Sequence, residues 1–145
     1  MVESIKLLDV TEQNAEEIAA QWAMDVQKNK RTTQFRNLKK ESLENYAVDF
    51  YKNLRKMLVP EDRIETTIRY FQKFAEKCRA DGIPVNECIY GLVLMRRHMW
   101  LYADFQAIFI DAIEHNQAID SIMRIMLMMD YAIFEITQYY FERAG

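Results

Sequence analysis

The residues of this 145-residue chain best suited to chemistry are two histidines, two cysteines and one aspartate set in an apolar run. His98 lies in Leu94-Met95-Arg96-Arg97-His98-Met99-Trp100. An imidazole on an apolar helix is the right chemistry for an iron or metal ligand, although a lone histidine more often makes a structural hydrogen bond. His98 is therefore a cofactor ligand only if haem is bound, and otherwise no cofactor is expected. Neither His98 nor His115 has a glutamate three residues before it, so the paired Glu-x-x-His motif of helical metal enzymes is absent from the sequence. There is no His-Glu-x-x-His, no Cys-x-x-Cys and no glycine-rich phosphate loop. These patterns predict no catalytic residues and no metal site.

Asp130 stands in Met126-Leu127-Met128-Met129-Asp130-Tyr131, off the polar stripe of its helix. An unpaired buried carboxylate costs several kcal/mol, so Asp130 must be partnered, protonated or less buried than its neighbours suggest. Arg96 and His98 on the preceding helix are the expected partners, in a structural ion pair, at a dimer seam or as a polar anchor in a sensory pocket. Met95, Met99, Met123, Met126, Met128 and Met129 read mainly as core, though flexible thioethers also line adaptable binding surfaces. Arg96, His98, Asp130, Met95, Met99, Met126 and Trp100 are the ligand or switch candidates. Cys78 and Cys88 read as buried free thiols rather than a disulfide.

These residues must be positioned by helices. With 3 Gly and 2 Pro, the chain lacks the turn residues that a β-rich or doubly wound fold needs, and 50% hydrophobic content can fill one core. The prediction is an all-α, single-domain bundle of about five helices spanning residues 1–145, with the first dozen residues loosely held. A net charge of −3 argues against a dedicated nucleic-acid binder. The start of the chain is acidic and amphipathic rather than a signal peptide, and charged residues break every long apolar run. A cytoplasmic location away from membranes is expected.

The most specified local feature is Arg79-Ala80-Asp81-Gly82-Ile83-Pro84-Val85-Asn86-Glu87. Gly82 can take the positive φ that closes a helix, Pro84 suits the first turn of the next, and Glu87 places a carboxylate near its positive end. Before this corner, one helix is expected from about Thr11 or Asn14 to Lys28, with Asn14 and Glu17 as a capping box. A second runs from Ser42 to Pro60, and a third from Pro60 to Gly82 with Ile64, Ile68, Phe71, Phe74, Ala75 and Cys78 inward. The basic stretch from Lys28 to Lys40 reads as a solvated loop or as a contact for an acidic partner surface or an anion.

The last two helices, Val85 to about Glu114 and Gln117 to Glu142, are apolar nearly all round and are expected to be long and central. The first carries a thin wet stripe of Arg97, Asp104 and Asp111. The second carries one of Gln117, Ser121, Arg124, Glu135, Gln138 and Glu142. Two such helices in so short a chain favour packing against a second chain, so a homodimer is expected.

The corner resembles the N-terminal sensor domain of RsbRD-type RsbT co-antagonist proteins. The resemblance covers Ile18-Ala19-Ala20-Gln21-Trp22, the Arg-Ala-x-Gly-Ile-Pro-x-x-Glu pattern from Arg79 to Glu87, Leu94-Met95-Arg96-Arg97 with Trp100, and Asp130-Tyr131-Ala132 leading to Tyr139-Tyr140. It implies a globin-like bundle without haem. It also implies a non-catalytic input module that passes a change through its last helix to an output domain or partner signalling protein, such as an anti-anti-sigma-factor domain, a histidine kinase or a helix-turn-helix regulator. No output domain follows Arg143 in this sequence, so the resemblance implies a free-standing or excised input domain. The alternative expectation is a haem- or small-molecule-binding helical domain.

Overall fold

At the corner the expected geometry is present in full. Helix α4 (Arg63–Ala80) ends in a residue at positive φ, Gly82 at +79°. The Ile83 amide donates to the Cys78 carbonyl at 2.9 Å, and the Gly82 amide to that of Arg79 at 3.1 Å. This crossed pair satisfies carbonyls that the helix end would otherwise leave open, and Ile83 and Cys78 are both buried beneath it. Pro84 then accepts the Cys88 amide at 2.9 Å, and helix α5 (Val85–Phe105) begins.

The computed structural model describes residues 6–105 and 112–144. Besides α4 and α5, these form α1 (Lys6–Gln13), α2 (Ala15–Lys28), α3 (Lys40–Leu58) and α6 (Ala112–Arg143), with a 3₁₀ turn at Phe35–Asn37. The protein is an all-α single-domain bundle, and no strand occurs among the described residues. Helix α2 packs chiefly on α3, and α4 on α6. Asp111 of the expected wet stripe lies outside the described residues.

Several expectations need correction. Residues 6–13 are a packed helix rather than a loose lead-in: Leu7 and Leu8 are buried, and Arg55 of α3 clamps Asp9 at 2.6 Å and Glu12 at 2.8 Å. Asn14 forms no capping box. Its side-chain amide donates to the Val10 carbonyl at 2.9 Å, while its own carbonyl accepts the Ile18 amide, so it is the joint between two nearly continuous helices. Helix α4 starts at Arg63, three residues beyond Pro60, and turns Thr67 rather than Ile64 inward.

The core is threaded by aromatic contacts. Trp22 meets Phe35 edge-on, Phe35 meets Tyr46, and Tyr46 meets Phe74. Trp22 also donates its indole N–H to the Gly91 carbonyl at 2.9 Å, tying α2 to α5. A Cβ on Gly91 would stand 2.7 Å from Phe35 Cε2, so this crossing admits only glycine without movement of the ring.

The basic stretch is not a plain solvated loop. Phe35 and Thr32 are buried, and the nearly buried carboxylate of Glu87 accepts the Gln34 amide at 2.9 Å and the Phe35 amide at 3.2 Å. Arg36 covers the open end of α2 by donating to the Gln27 and Asn29 carbonyls. Glu87 thus holds the α2–α3 connection as well as standing in the first turn of α5.

Candidate functional site

The antiparallel packing of α5 on α6 brings together four of the seven candidate residues. Arg96, Met99, Trp100 and Met126 line one groove of about 370 Å³, joined by Arg97, Ile122 and Ile125. Met99 and Ile125 are buried and form its floor, while Trp100 and Ile122 are half-buried along its sides. Arg96 is half-buried and Arg97 exposed. Among the described residues, neither guanidinium has a carboxylate within ion-pair distance, whereas Arg124 meets Asp120 at 3.0 Å. Ile122 and Ile125 are not singled out by the sequence, and Arg97 reads there only as part of a wet stripe. Their signal is faint: Ile122 and Met126 lie one turn apart on α6, and Ile125 lies beside them.

The other three candidates lie elsewhere. Met95 is buried, and its carbonyl accepts the Tyr51 hydroxyl at 2.7 Å, a link from α5 to α3. His98 points to α2, where its Nε2 lies 2.7 Å from Asp25 Oδ2. Both side chains are partly covered, at 16% and 27% exposure. The expected Asp130 pairing with Arg96 or His98 does not occur: the partner of His98 is Asp25, on a different helix from the one expected. A haem iron would have to displace that carboxylate from Nε2 or use the other ring nitrogen.

Asp130 is exposed, so it is the less-buried alternative that applies. It sits on the outer face of α6, and that face is apolar. Met123, Phe134 and Phe141 are 64%, 64% and 76% exposed. With Leu127 and Thr137 they fall alternately four and three residues apart around Asp130, at heptad spacing. Met126, Ile119 and Ile133 flank the stripe, all exposed. Met123 and Met126, expected in the core, are surface residues, whereas Met128 and Met129 are buried. Helix α6 is long, as expected, but central on one side only.

The polar stripe of α6 is wet for most of its length, as expected: Arg124, Gln138 and Glu142 are exposed, and Gln117 and Glu135 half-buried. Ser121 is buried, and Glu135, Gln138 and Glu142 face the charged side of α4 across a cleft shared with Arg69 and Lys73. Gln72 donates to Glu135 there at 3.2 Å. Polar residues of α6 therefore meet polar residues of α4, which leaves an apolar face outward.

Cys78 and Cys88 are free and buried beneath the corner, as expected. Burial, reinforced by contact with Cys88, pushes the Cys78 thiol far above its ordinary range and makes it a poor nucleophile. Burial also raises the neighbouring Tyr46 and Tyr140 hydroxyls. Tyr46 donates to Asp81, and Tyr140 to the Ile83 carbonyl at 2.6 Å, so the corner is bolted to both α3 and α6.

Among the described residues, no group of three or more His, Cys, Asp or Glu side chains is placed to hold a metal ion. No described helix is long and apolar enough to cross a membrane. Compared with protein-family models, curated proteins and solved structures, the chain gives no match.

Proposed function

We propose that this chain is a non-catalytic regulatory module that pairs with a second copy through the outer face of α6 and passes a packing change along that helix. The observation that carries the reading is the apolar heptad stripe from Met123 to Phe141, left open on the surface of the longest helix. A soluble monomer rarely exposes a continuous apolar patch beyond a few hundred Å². The occupant best fitted to a straight heptad stripe is a matching helix, and a two-fold axis supplies one from the same chain. Asp130 in the middle of that stripe is the kind of polar seam residue that fixes register at a cost in stability.

The reading agrees with what the reactive side chains do: His98 is occupied by Asp25, and both thiols are buried. It also agrees with the resemblance to RsbRD-type sensor domains, whose globin-like packing without haem, cytoplasmic setting and partner output domain form part of the proposal. A module of this kind needs two packings of similar energy that a ligand or partner weighs differently. The exposed Met123 and Met126 can repack at small cost.

The test is a pair of spin labels on Gln138→Cys in the associated protein, since Gln138 is exposed near the end of α6 and the native thiols are buried. A change in the distance between labels on adding the groove ligand proposed below, or with Asp130→Asn, supports transmission along α6. A fixed distance in both conditions leaves only a passive dimerisation unit.

A further inference from the structure

The groove between α5 and α6 combines an apolar lining with two arginines that no carboxylate among the described residues pairs. Met99, Ile122, Ile125 and Met126 offer no hydrogen bonds, and Trp100 adds an aromatic wall. Arg96 and Arg97 bring two guanidiniums, with no described carboxylate to neutralise them. Its volume of about 370 Å³ is enough for a small organic molecule. Inorganic anions would use the arginines and gain nothing from the walls, while a neutral apolar ligand would leave the charges unused. The chemistry that uses both is an apolar chain ending in one anion.

We propose that this groove binds a medium-chain carboxylate of the fatty-acid class, with its chain over Met99, Ile122 and Ile125 and its carboxylate on Arg96 and Arg97. The site needs no second copy of the protein. Only its regulatory consequence rests on the function proposed above, through Met126, which lines the groove and flanks the α6 stripe.

The probe is dodecanoate, titrated calorimetrically into the full chain below its micelle concentration, beside dodecanol and dodecyltrimethylammonium. The expected result is one dodecanoate per chain, with dodecanol weaker by about tenfold or more and no binding of the cation. Arg96→Gln with Arg97→Gln should weaken dodecanoate by about the same factor, and both positions are open enough to tolerate the change. Ile122→Trp, which fills the groove, should abolish binding, and Lys73→Gln in the opposite cleft should leave it unchanged. Equal binding of all three head groups, dodecanoate binding that survives both groove variants, or attachment only to anionic phospholipid vesicles would overturn the proposal. If dodecanoate binds as expected while the spin-label distance stays fixed, the site stands and the transmission reading fails.

Discussion

His98 Nε2 and Asp25 Oδ2 lie 2.7 Å apart, joining α5 to α2 across 73 positions of sequence. The contact gives the most conspicuous imidazole of the chain a partner on the opposite side of α5 from the α6 stripe. His98→Gln and Asp25→Asn should therefore couple in a double-mutant cycle by about 1 kcal/mol, a partly exposed pair being worth no more. His98→Gln and Asp130→Asn should be additive. Coupling to Asp130 instead of Asp25, measured by urea denaturation of the four variants, would show that α5 and α6 are arranged differently.

Glu87 is the second long-range link. Because its carboxylate is almost fully buried and accepts two backbone amides of the α2–α3 connection, Glu87→Ala strands those donors. The loss should be about 1–3 kcal/mol, with Gln34 and Phe35 losing hydrogen-exchange protection before the rest of the core. Unchanged protection at these two amides would contradict the anchor.

The two links show where the sequence was legible. The corner at Gly82 and Pro84 could be read from residue types because its geometry depends on local conformational preference and local hydrogen bonds. Helices α2 to α6 were recognisable from apolar spacing, although α6 begins at Ala112, inside the stretch from Val85 to Glu114 expected to form one helix. What could not be read was which way α6 is rotated. Its sequence is apolar on most sides, so periodicity gave no single inward face, and the thin polar stripe looked like the wet side. Much of that stripe is exposed, at Arg124, Gln138 and Glu142, but Ser121 is buried, and a second, apolar face with Met123, Met126 and Phe134 is exposed as well. The partners of Asp130 and His98 failed for the same reason: each was inferred from one helix, whereas the true contact of His98 comes from α2. Of the groove, Arg96, Met99, Trp100 and Met126 were legible as candidates, but the contact that unites them is set by the α5–α6 crossing.

Alkaline pH should discriminate native from unfolded protein. Burial raises the hydroxyls of Tyr46, Tyr51, Tyr70 and Tyr140, so the fold favours their neutral form. This stabilisation is fully present below the ordinary tyrosine value of about 10 and is lost as pH rises above it, where the unfolded chain releases protons that the native chain keeps. At pH about 11, ultraviolet difference absorbance should report these four of the 8 tyrosines as un-ionised while helicity persists, and the full change only on unfolding. Titration of all of them together with the helices intact would contradict the packing of α3, α4 and the corner.

Sedimentation velocity across a concentration series tests the pairing role of the open α6 face directly. The native chain should pass from monomer to dimer as concentration rises into the micromolar range. Met123→Glu with Phe134→Glu, both on the surface, should hold it monomeric with helicity unchanged, and Asp130→Leu should tighten association by about tenfold by removing a charge from the seam. A native chain that stays monomeric throughout, or one whose association ignores the glutamates at positions 123 and 134, would contradict the proposal that this helix pairs with a second copy.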